Sequence, residues 1–487
     1  MFPRLRLMVL GSALLLAAPG APPHAQTAEQ WQEQQIAAVD KSERIMREAN
    51  THKGLLAQYQ VMRYAYAGNK ETAFRLIFGQ YLSWYQTFIG DYPDAAASFS
   101  IKQQALPDDR PSPLSVGGFR ARNALDAIPE LARHYRAVFF NEAHNVPLTR
   151  TLTVQLLSRL RAEGFNYFAS ETLYQTDTGL QARGYPVAGS GFYTEEPIYA
   201  EMVRTALKLG FKVIAYEAES NATGDAREAE QARNIYRQVF RNHPDARLVV
   251  NAGYAHIQKS GTFLGGSSMA EHLQKISGID PLSVEQTMLY AHPSAADDHP
   301  YYGAVMRKLH PAQPIVFLDK NGKPWSLRPG YDVSVFFPPQ QLNRGRPTWL
   351  DLGGLRKPYF VDAERCQRTF PCLIQARYAD EGANSIAADR LVLDVIPLNA
   401  VPDEHVVNGQ MVVGSELYLR PGKYILTYSD IDTNKLFEQK IVIGTTDAAD
   451  PAMDAQTPPP PATPRSCPPI DAPPGQLQSQ ASTCAAP

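Results

Sequence analysis

The chain has 487 residues, a length that accommodates two or three domains with separate cores. Its hydrophobic content of 44% and its charged content of 20% are typical of a globular protein. A formal net charge of -2 gives no electrostatic reason to expect a nucleic acid or an anionic membrane as a partner, which argues against both classes of binding protein.

The first 25 residues have the pattern of an export signal. Arg4 and Arg6 precede a short apolar stretch at 7–18, and Ala25 is the best candidate for the last residue removed. The apolar stretch is too short to span a bilayer permanently, and no other segment predicts a membrane span. We therefore expect a signal peptide at 1–25 and a periplasmic or secreted protein.

Residues 26–118 have the apolar spacing of helices. Ile36, Val39 and Met46 recur near a 3.6-residue period, and an aromatic-rich stripe around Trp84 continues this pattern. Such a stripe is more typical of a helix packed onto a larger domain than of a ligand site. The sequence therefore predicts a helical N-terminal extension.

Residues 119–345 alternate short apolar runs with segments of helical periodicity. The apolar runs lie at 137–140, 167–169, 213–216, 248–250, 314–318 and 331–336, and a helix is predicted at 119–135. Strand–helix–strand alternation is typical of a parallel sheet. We therefore predict an α/β domain with a mainly parallel sheet and flanking helices.

Carboxylates and histidines directly follow four of these runs. They are Glu142 with His144, Glu171, Glu217 with Glu219, and His256. Ligands of a parallel sheet bind beyond the carboxyl ends of its strands, because the loops converge there. We expect these side chains to meet in one site, and Glu217 is favoured over Glu219 because it directly ends its apolar run.

Glu142 and His144 are two residues apart, so in an extended segment both side chains point the same way. The carboxylate can orient the imidazole as a general base, share a divalent metal ion with it, or form only a buried ion pair. With Glu171 and His256 they are the candidate catalytic residues and also the candidate metal ligands. Structural alternatives are a helix N-terminal carboxylate for Glu171 and a core histidine for His256.

Arg227 and Glu217 are the candidate substrate-binding residues. Arg227 opens the helix predicted after the third strand, where its guanidinium can clamp a carboxylate or an oxyanion, although a surface arginine has the same pattern. Gly253 lets the backbone before His256 pass close to a ligand. Weaker candidates are Arg150, Lys259 and His272.

Several common catalytic motifs are absent from the sequence. It contains no Gly-x-Ser-x-Gly elbow, no His-Glu-x-x-His zinc helix, no Gly-x-x-x-x-Gly-Lys phosphate loop and no Rossmann glycine fingerprint. The sequence therefore disfavours a serine hydrolase, a standard zincin and a nucleotide-dependent enzyme.

The pattern changes beyond about Arg344. Apolar and polar residues alternate over 391–396, 410–419, 424–429 and 437–443. This alternation predicts a small antiparallel β domain at 346–446, which braces the core or contacts a cell-envelope partner. Residues 447–487 are rich in Pro, Ala, Ser and Gln and predict a disordered tail.

The four cysteines are Cys366, Cys372, Cys467 and Cys484. In an oxidising compartment the first two predict a local disulfide that closes a small loop, and the last two can pair within the tail. Their spacing does not match a zinc knuckle, and no histidines accompany them. We interpret all four as structural.

Short motifs in the central region resemble the erythromycin esterase family. They are Asn141-Glu142-Ala143-His144, Ser170-Glu171-Thr172, Arg227 with Ala232 and Asn234, and Gly253-Tyr254-Ala255-His256, within a span of about 119–337. That family is akin to haem-binding iron-regulated lipoproteins and to Wnt-cleaving membrane metalloproteases. One departure is Asn141, where the family usually has glycine, although asparagine tolerates unusual backbone angles.

The resemblance implies a hydrolase site with His144 as the base, Glu142 and Glu171 as its partners, and His256 as a second imidazole. In the esterases a histidine activates water without a required metal, whereas the membrane proteases need a divalent cation. The resemblance therefore leaves the cofactor open between none and a divalent metal ion.

These observations lead to one hypothesis with two rivals. The leading hypothesis is an exported hydrolase that acts on an ester, lactone or amide bond of a small-molecule or peptide substrate. The first rival is a non-catalytic periplasmic protein that binds a metal ion or haem, since two imidazoles and two carboxylates suit a first-row divalent ion. In the second rival hypothesis, the C-terminal β domain recruits a cell-envelope partner, and the α/β domain is degenerate and has no activity.

Overall fold

The computed structural model describes residues 27–394, 404–407 and 410–444. The predicted signal peptide at 1–25 and the predicted tail, with Cys467 and Cys484, lie outside these residues. Within the described residues the chain is a mixed α/β structure, as the sequence predicted. It has an N-terminal helical region, a six-stranded parallel sheet flanked by helices, and antiparallel sheets towards the C-terminus.

Within residues 27–118, four helices form the N-terminal region. They are α1 (Ala28–Ala49), α2 (Leu55–Gly68), α3 (Thr72–Phe88) and α4 (Tyr92–Ser98). Thr27 begins α1 with a capping box, because its side chain accepts from the Gln30 backbone while the Gln30 side chain accepts from the Thr27 backbone. Nearly every residue of α3 is buried, so this helix is surrounded by protein rather than lying on the surface.

The central region contains the parallel sheet and its helices. Its elements are β1 (Arg120–Asn123), α5 (Ala124–Ala132), β2 (Ala137–Glu142), α6 (Leu148–Ala162), β3 (Tyr167–Ser170), α7 (Leu180–Arg183), α8 (Pro197–Lys208), β4 (Lys212–Ala215), α9 (Gly224–Ile235), β5 (Leu248–Gly253), α10 (Met269–Ser277), β6 (Leu282–Glu285), α11 (Pro300–Leu309), β7 (Ile315–Leu318) and β8 (Val333–Ser334).

The parallel sheet has the strand order β4-β3-β5-β2-β6-β8. Strand β5 lies between β2 and β3, with Glu142 opposite Gly253 and Ser170 opposite Asn251. The carboxyl ends of these three strands are therefore neighbours, although they come from distant parts of the sequence. This order positions the candidate site.

Both faces of the parallel sheet are buried. Val138 and Phe140 belong to an apolar core on one face, and Ala137 and Phe139 belong to a core on the other. Successive side chains of a strand point to opposite faces, so a strand buried on both sides is apolar throughout. The first core includes residues of α1 to α3, α6 and α8, and the second includes residues of α9 to α11.

Three predictions for this region were wrong in detail. The segment at 119–135 is β1 followed by α5, because Asn123 caps the helix through Leu125 N while the residues before it pair with β7. Strand β7 pairs antiparallel with β1 outside the parallel sheet, and the strand predicted at 331–336 is only β8. Strand β6 was not predicted.

The C-terminal region is antiparallel, as predicted. Its strands are β9 (Leu342–Asn343), β10 (Arg346–Pro347), β11 (Lys357–Asp362), β12 (Cys372–Tyr378), β13 (Asp389–Leu393), β14 (Glu404–Val407), β15 (Gln410–Leu419), β16 (Gly422–Ser429) and β17 (Lys435–Ile443). The larger sheets have the orders β11-β15-β14 and β13-β12-β16-β17. The predicted disulfide between Cys366 and Cys372 is formed.

The C-terminal region is joined to the sheet layer by buried ion pairs. Arg204 on α8 forms a salt bridge with Glu381 at 2.7 Å, and Glu201 on the same helix accepts from Arg420 at 2.5 Å. The domain boundaries expected at 118/119 and 345/346 stay predictions. None of the helices in the described ranges is long and apolar enough to cross a membrane.

Candidate active site

Glu142, His144, Glu171 and His256 lie together at the carboxyl ends of β2, β3 and β5. His144 Nε2 lies 4.0 Å from Glu171 Oε2, and His256 Nε2 lies 3.4 Å from Glu171 Oε1. Both imidazoles therefore face one carboxylate. The residues are between 1% and 7% exposed, so their charges interact in a medium that screens them far less than water does.

Glu142 and His144 form the first carboxylate–imidazole pair, with 3.1 Å between Glu142 Oε1 and His144 Nδ1. Arg150 donates to both oxygens of Glu142 at 2.8 Å, and Asn251 Nδ2 donates to Glu142 Oε2 at 2.5 Å. Burial raises the pKa of Glu142, but the Arg150 charge and the bonds from Arg150 and His144 outweigh it and hold the pKa well below its usual range. Because an ionised carboxylate only accepts, His144 Nδ1 carries a hydrogen, and in the neutral ring Nε2 is the free acceptor.

His256 and Glu228 form a second pair of the same kind. Glu228 Oε2 lies 2.7 Å from His256 Nδ1 and also accepts from the backbone N–H of Met269 at 2.9 Å. Burial lowers the pKa of His256, but the carboxylates of Glu228 and Glu171 outweigh it and raise the pKa above its ordinary value. The two carboxylates therefore favour the protonated form of His256.

Glu171 is stabilised as an anion. Its Oε2 accepts from the backbone N–H of Gly253 at 2.5 Å, and its Oε1 lies 3.5 Å from Arg227 Nη2. Burial raises the pKa of Glu171, but the nearby charges of His256, His144 and Arg227 and the Gly253 hydrogen bond lower it below its ordinary value. Glu171 is therefore an ionised carboxylate between two imidazoles.

A glycine is required at position 253 because a side chain would not fit there, and not because of the backbone conformation. Its φ of -71° and ψ of 144° are open to any residue. A Cβ at this position would lie 2.3 Å from His144 Cε1 and Nε2 and 3.0 Å from Glu171 Oε2. The backbone of β5 thus passes directly against the His144 ring, where the sequence had suggested a close approach to a ligand.

Arg227 and Glu217 border this group. Arg227 donates to Glu217 through Nε at 3.1 Å and through Nη2 at 3.0 Å, and its Nη1 lies 3.6 Å from Glu228 Oε1. Gln231 also donates to Glu217, at 2.8 Å. Arg227 thus faces three carboxylates of its own chain, and its role as a clamp for a substrate anion stays a prediction.

The other candidates lie in different environments. Glu219 is exposed, and its backbone N–H donates to Glu230. Lys259 pairs with Asp332, and His272 pairs with Asp225. None of these contacts includes Glu142, His144, Glu171 or His256.

Arg150 contributes far more than its place among the weaker candidates suggested. It is fully buried, and besides Glu142 it binds Glu196 at 2.9 Å. Glu196 caps α8 and accepts from the Tyr92 hydroxyl of α4 at 3.0 Å. The orientation of Glu142 therefore depends on a chain of contacts that extends into the N-terminal helices.

Two asparagines join the site to neighbouring segments. The Asn145 side chain donates to Ala95 O and Phe99 O, at the end of the N-terminal helical region, and Pro147 directly precedes α6. Asn141 has no unusual backbone angle, because β2 continues through it. Its amide donates to Tyr254 O and ties β2 to the loop after β5.

Aromatic rings cover the first imidazole. The Tyr193 ring stacks on His144 with centroids 4.3 Å apart, and the Tyr254 ring meets it edge-on at 5.1 Å. Burial, together with the charge of Glu171, raises the pKa of the Tyr193 hydroxyl well above its usual range. Tyr193 thus covers the His144 ring as a neutral group. On the side towards Glu171, His144 Nε2 faces that carboxylate.

Glu228 was missed because no strand-end pattern marks it. It lies within α9 on the same side as Ala232 and Ile235, which belong to the apolar core. A glutamate in the apolar stripe of a helix is the signal that points to a buried partner.

The metal-binding role predicted for Glu142, His144, Glu171 and His256 stays a prediction. Within the ranges that the structure describes, no group of three or more His, Cys, Asp and Glu side chains is arranged to hold a metal ion. Both Glu142 oxygens accept from Arg150, and Glu171 Oε2 accepts from Gly253, so these carboxylates bind donors of the protein. The haem-binding alternative stays a prediction.

No protein-family model matches the chain, and no curated protein matches it. Among solved structures, it is similar to the type III effector HopBA1, with 12% identity, 38% of this chain and 89% of that chain covered, and a TM-score of 0.26. For RRSP, a MARTX toxin effector domain from Vibrio vulnificus CMCP6, the identity is 14%, the coverage is 45% and 50%, and the TM-score is 0.24.

A third similar structure is the C-terminal region of Pasteurella multocida toxin, which is described as having a thiol-protease like catalytic triad. Its identity is 13%, its coverage is 42% of this chain and 27% of that chain, and its TM-score is 0.22. These scores are too low to carry an argument about fold or function.

Proposed function

We propose that the chain is a hydrolase that activates water against an ester, lactone or amide bond. The observation that carries this proposal is that His144 and His256 turn their Nε2 atoms towards Glu171, while each Nδ1 faces a carboxylate of its own. Two imidazoles that face one point, each oriented by its own carboxylate, supply the two proton-transfer groups that an acid–base mechanism needs.

His144 is the general base of the proposed reaction. Its Nδ1–H donates to Glu142, so its Nε2 takes a proton from water as the water oxygen attacks the carbonyl carbon. Arg150 and Asn251 hold Glu142 in place, which fixes the direction of the ring. General base catalysis of this kind accelerates a reaction by about 100- to 10,000-fold.

His256 is the general acid. The carboxylates of Glu228 and Glu171 favour its protonated form, so its Nε2–H donates a proton to the leaving oxygen or nitrogen as the bond to the carbonyl carbon breaks. His144 gains one proton and His256 loses one, and exchange of these protons restores the resting site. Glu171 lies between both Nε2 atoms and holds the attacking water.

We further propose that the chain is related to the erythromycin esterase family and that it is exported. The motifs behind the resemblance contain Glu142, His144, Glu171 and His256, which are the residues that meet around one carboxylate. The substrate is a small molecule or a peptide, and the C-terminal β region is a candidate surface for a cell-envelope partner.

A screen of esters, lactones and amides, run with and without a chelator, tests this function. We expect wild-type turnover of at least one class, and we expect His144→Ala and His256→Ala to remove most of it while the protein stays folded. Gly117→Ala is the matched control, because no heavy atom lies within 4 Å of the added Cβ. Unchanged hydrolysis of a confirmed substrate by His144→Ala would exclude the mechanism.

A further inference from the structure

The two carboxylate–imidazole pairs are arranged alike on either side of Glu171. Glu142 lies 3.1 Å from His144 Nδ1, and Glu228 lies 2.7 Å from His256 Nδ1. A carboxylate on Nδ1 fixes the tautomer and the rotation of an imidazole, and so decides where Nε2 points. The motifs account for Glu142, but they do not include Glu228.

Glu228 is itself held firmly. It is fully buried in α9, and its Oε2 accepts from Met269 N at the start of α10 as well as facing His256. Its Oε1 lies 3.6 Å from Arg227 Nη1. A carboxylate fixed by two helices and one guanidinium has little freedom to rotate, so the ring that it binds is fixed as well.

We propose that Glu228 is a positioning residue of the reaction, which holds His256 so that its Nε2 faces Glu171 and the reacting bond. This inference rests on the proposed hydrolase function. Glu228 lies behind His256 and acts only through that ring, so its loss lowers kcat and leaves KM nearly unchanged. A purely structural role, in which Glu228 only joins α9 to α10 through Met269 N, predicts lower stability and an unchanged kcat.

The kinetic test compares Glu228→Gln and Glu228→Asp with wild type on a confirmed substrate. We expect Glu228→Gln to lower kcat by about 10- to 100-fold, as the loss of a group that orients a functional histidine typically does. Glu228→Asp keeps the charge and should restore part of kcat. Glu201→Gln is the matched control, because Glu201 is another buried carboxylate that pairs with arginines outside the site. An unchanged kcat in Glu228→Gln overturns the inference.

A second readout does not depend on finding a substrate. Nitrogen-15 NMR of labelled histidines reports which ring nitrogen carries hydrogen. We expect the His256 signals to change in Glu228→Gln and to return towards wild type in Glu228→Asp. Unchanged His256 signals overturn the positioning role even if hydrolysis is confirmed. A changed His256 spectrum in a protein that hydrolyses nothing in the screen upholds the geometry and counts against the hydrolase function.

Discussion

Gly253→Ala is the substitution whose effect follows most directly from the geometry of the site. The added methyl group would lie 2.3 Å from two atoms of the His144 ring, whereas carbon atoms in contact are about 3.5–4.0 Å apart. The ring must therefore move by roughly 1 Å or more, and a displacement of 1 Å at a reacting group can reduce a rate by about 100-fold. The backbone angles of Gly253 suit alanine, so strain in the chain is not part of the effect.

The stability cost of this substitution is that of an overpacked core, typically 1–3 kcal/mol. The assay is kcat on a confirmed substrate together with the denaturant midpoint, with Gly117→Ala measured in parallel. We expect a roughly 100-fold lower kcat and a modest loss of stability in Gly253→Ala, and no change in Gly117→Ala. A wild-type kcat in Gly253→Ala would refute the proposed packing of His144 against β5.

Three further predictions concern stability. Because the pKa of His256 is raised in the folded state, its stabilisation is fully present below about pH 6.5 and is lost as the pH rises through the folded-state pKa. Wild type should therefore exceed His256→Gln in unfolding free energy most clearly near pH 6, and an equal difference at pH 9 would contradict the charge assigned to this ring. Arg150→Met should destabilise the protein by about 3–5 kcal/mol in denaturant titrations, since it leaves the buried Glu142 without its main partner. A loss under 1 kcal/mol would show that this pair is not buried as described. Reduction of the Cys366–Cys372 disulfide should cost about 2 kcal/mol, as expected for a short loop, and an unchanged midpoint after confirmed reduction would count against this estimate.

Much of the fold could be predicted from the sequence, and so could the grouping of Glu142, Glu171 and His256. Strands buried on both faces are continuous apolar runs, so β2, β3 and β5 and the polar residues that follow them could be predicted directly from the sequence. Parallel strands align their carboxyl ends, and this predicted that Glu142, Glu171 and His256 would be near each other. The alternation beyond 346 likewise predicted the antiparallel sheets.

The remaining features depend on contacts that no local pattern encodes. Glu228 pairs with a histidine 28 residues away, and Arg150, which binds Glu142, also binds Glu196, 46 residues further along the chain. Strand β1 exists because it pairs with β7, almost 200 residues later, although its own residues are mostly exposed and polar. Tertiary pairing overrides local preference at such positions.

The central claim is that water, activated by His144, attacks the substrate directly. A single turnover in oxygen-18 water with enzyme in excess, followed by mass spectrometry of the products and of the digested protein, tests this claim. The mechanism predicts one labelled oxygen in the acid product and none in the peptides that contain Glu142 or Glu171. Label in either glutamate would show that a carboxylate is the nucleophile and would contradict the proposed role of His144.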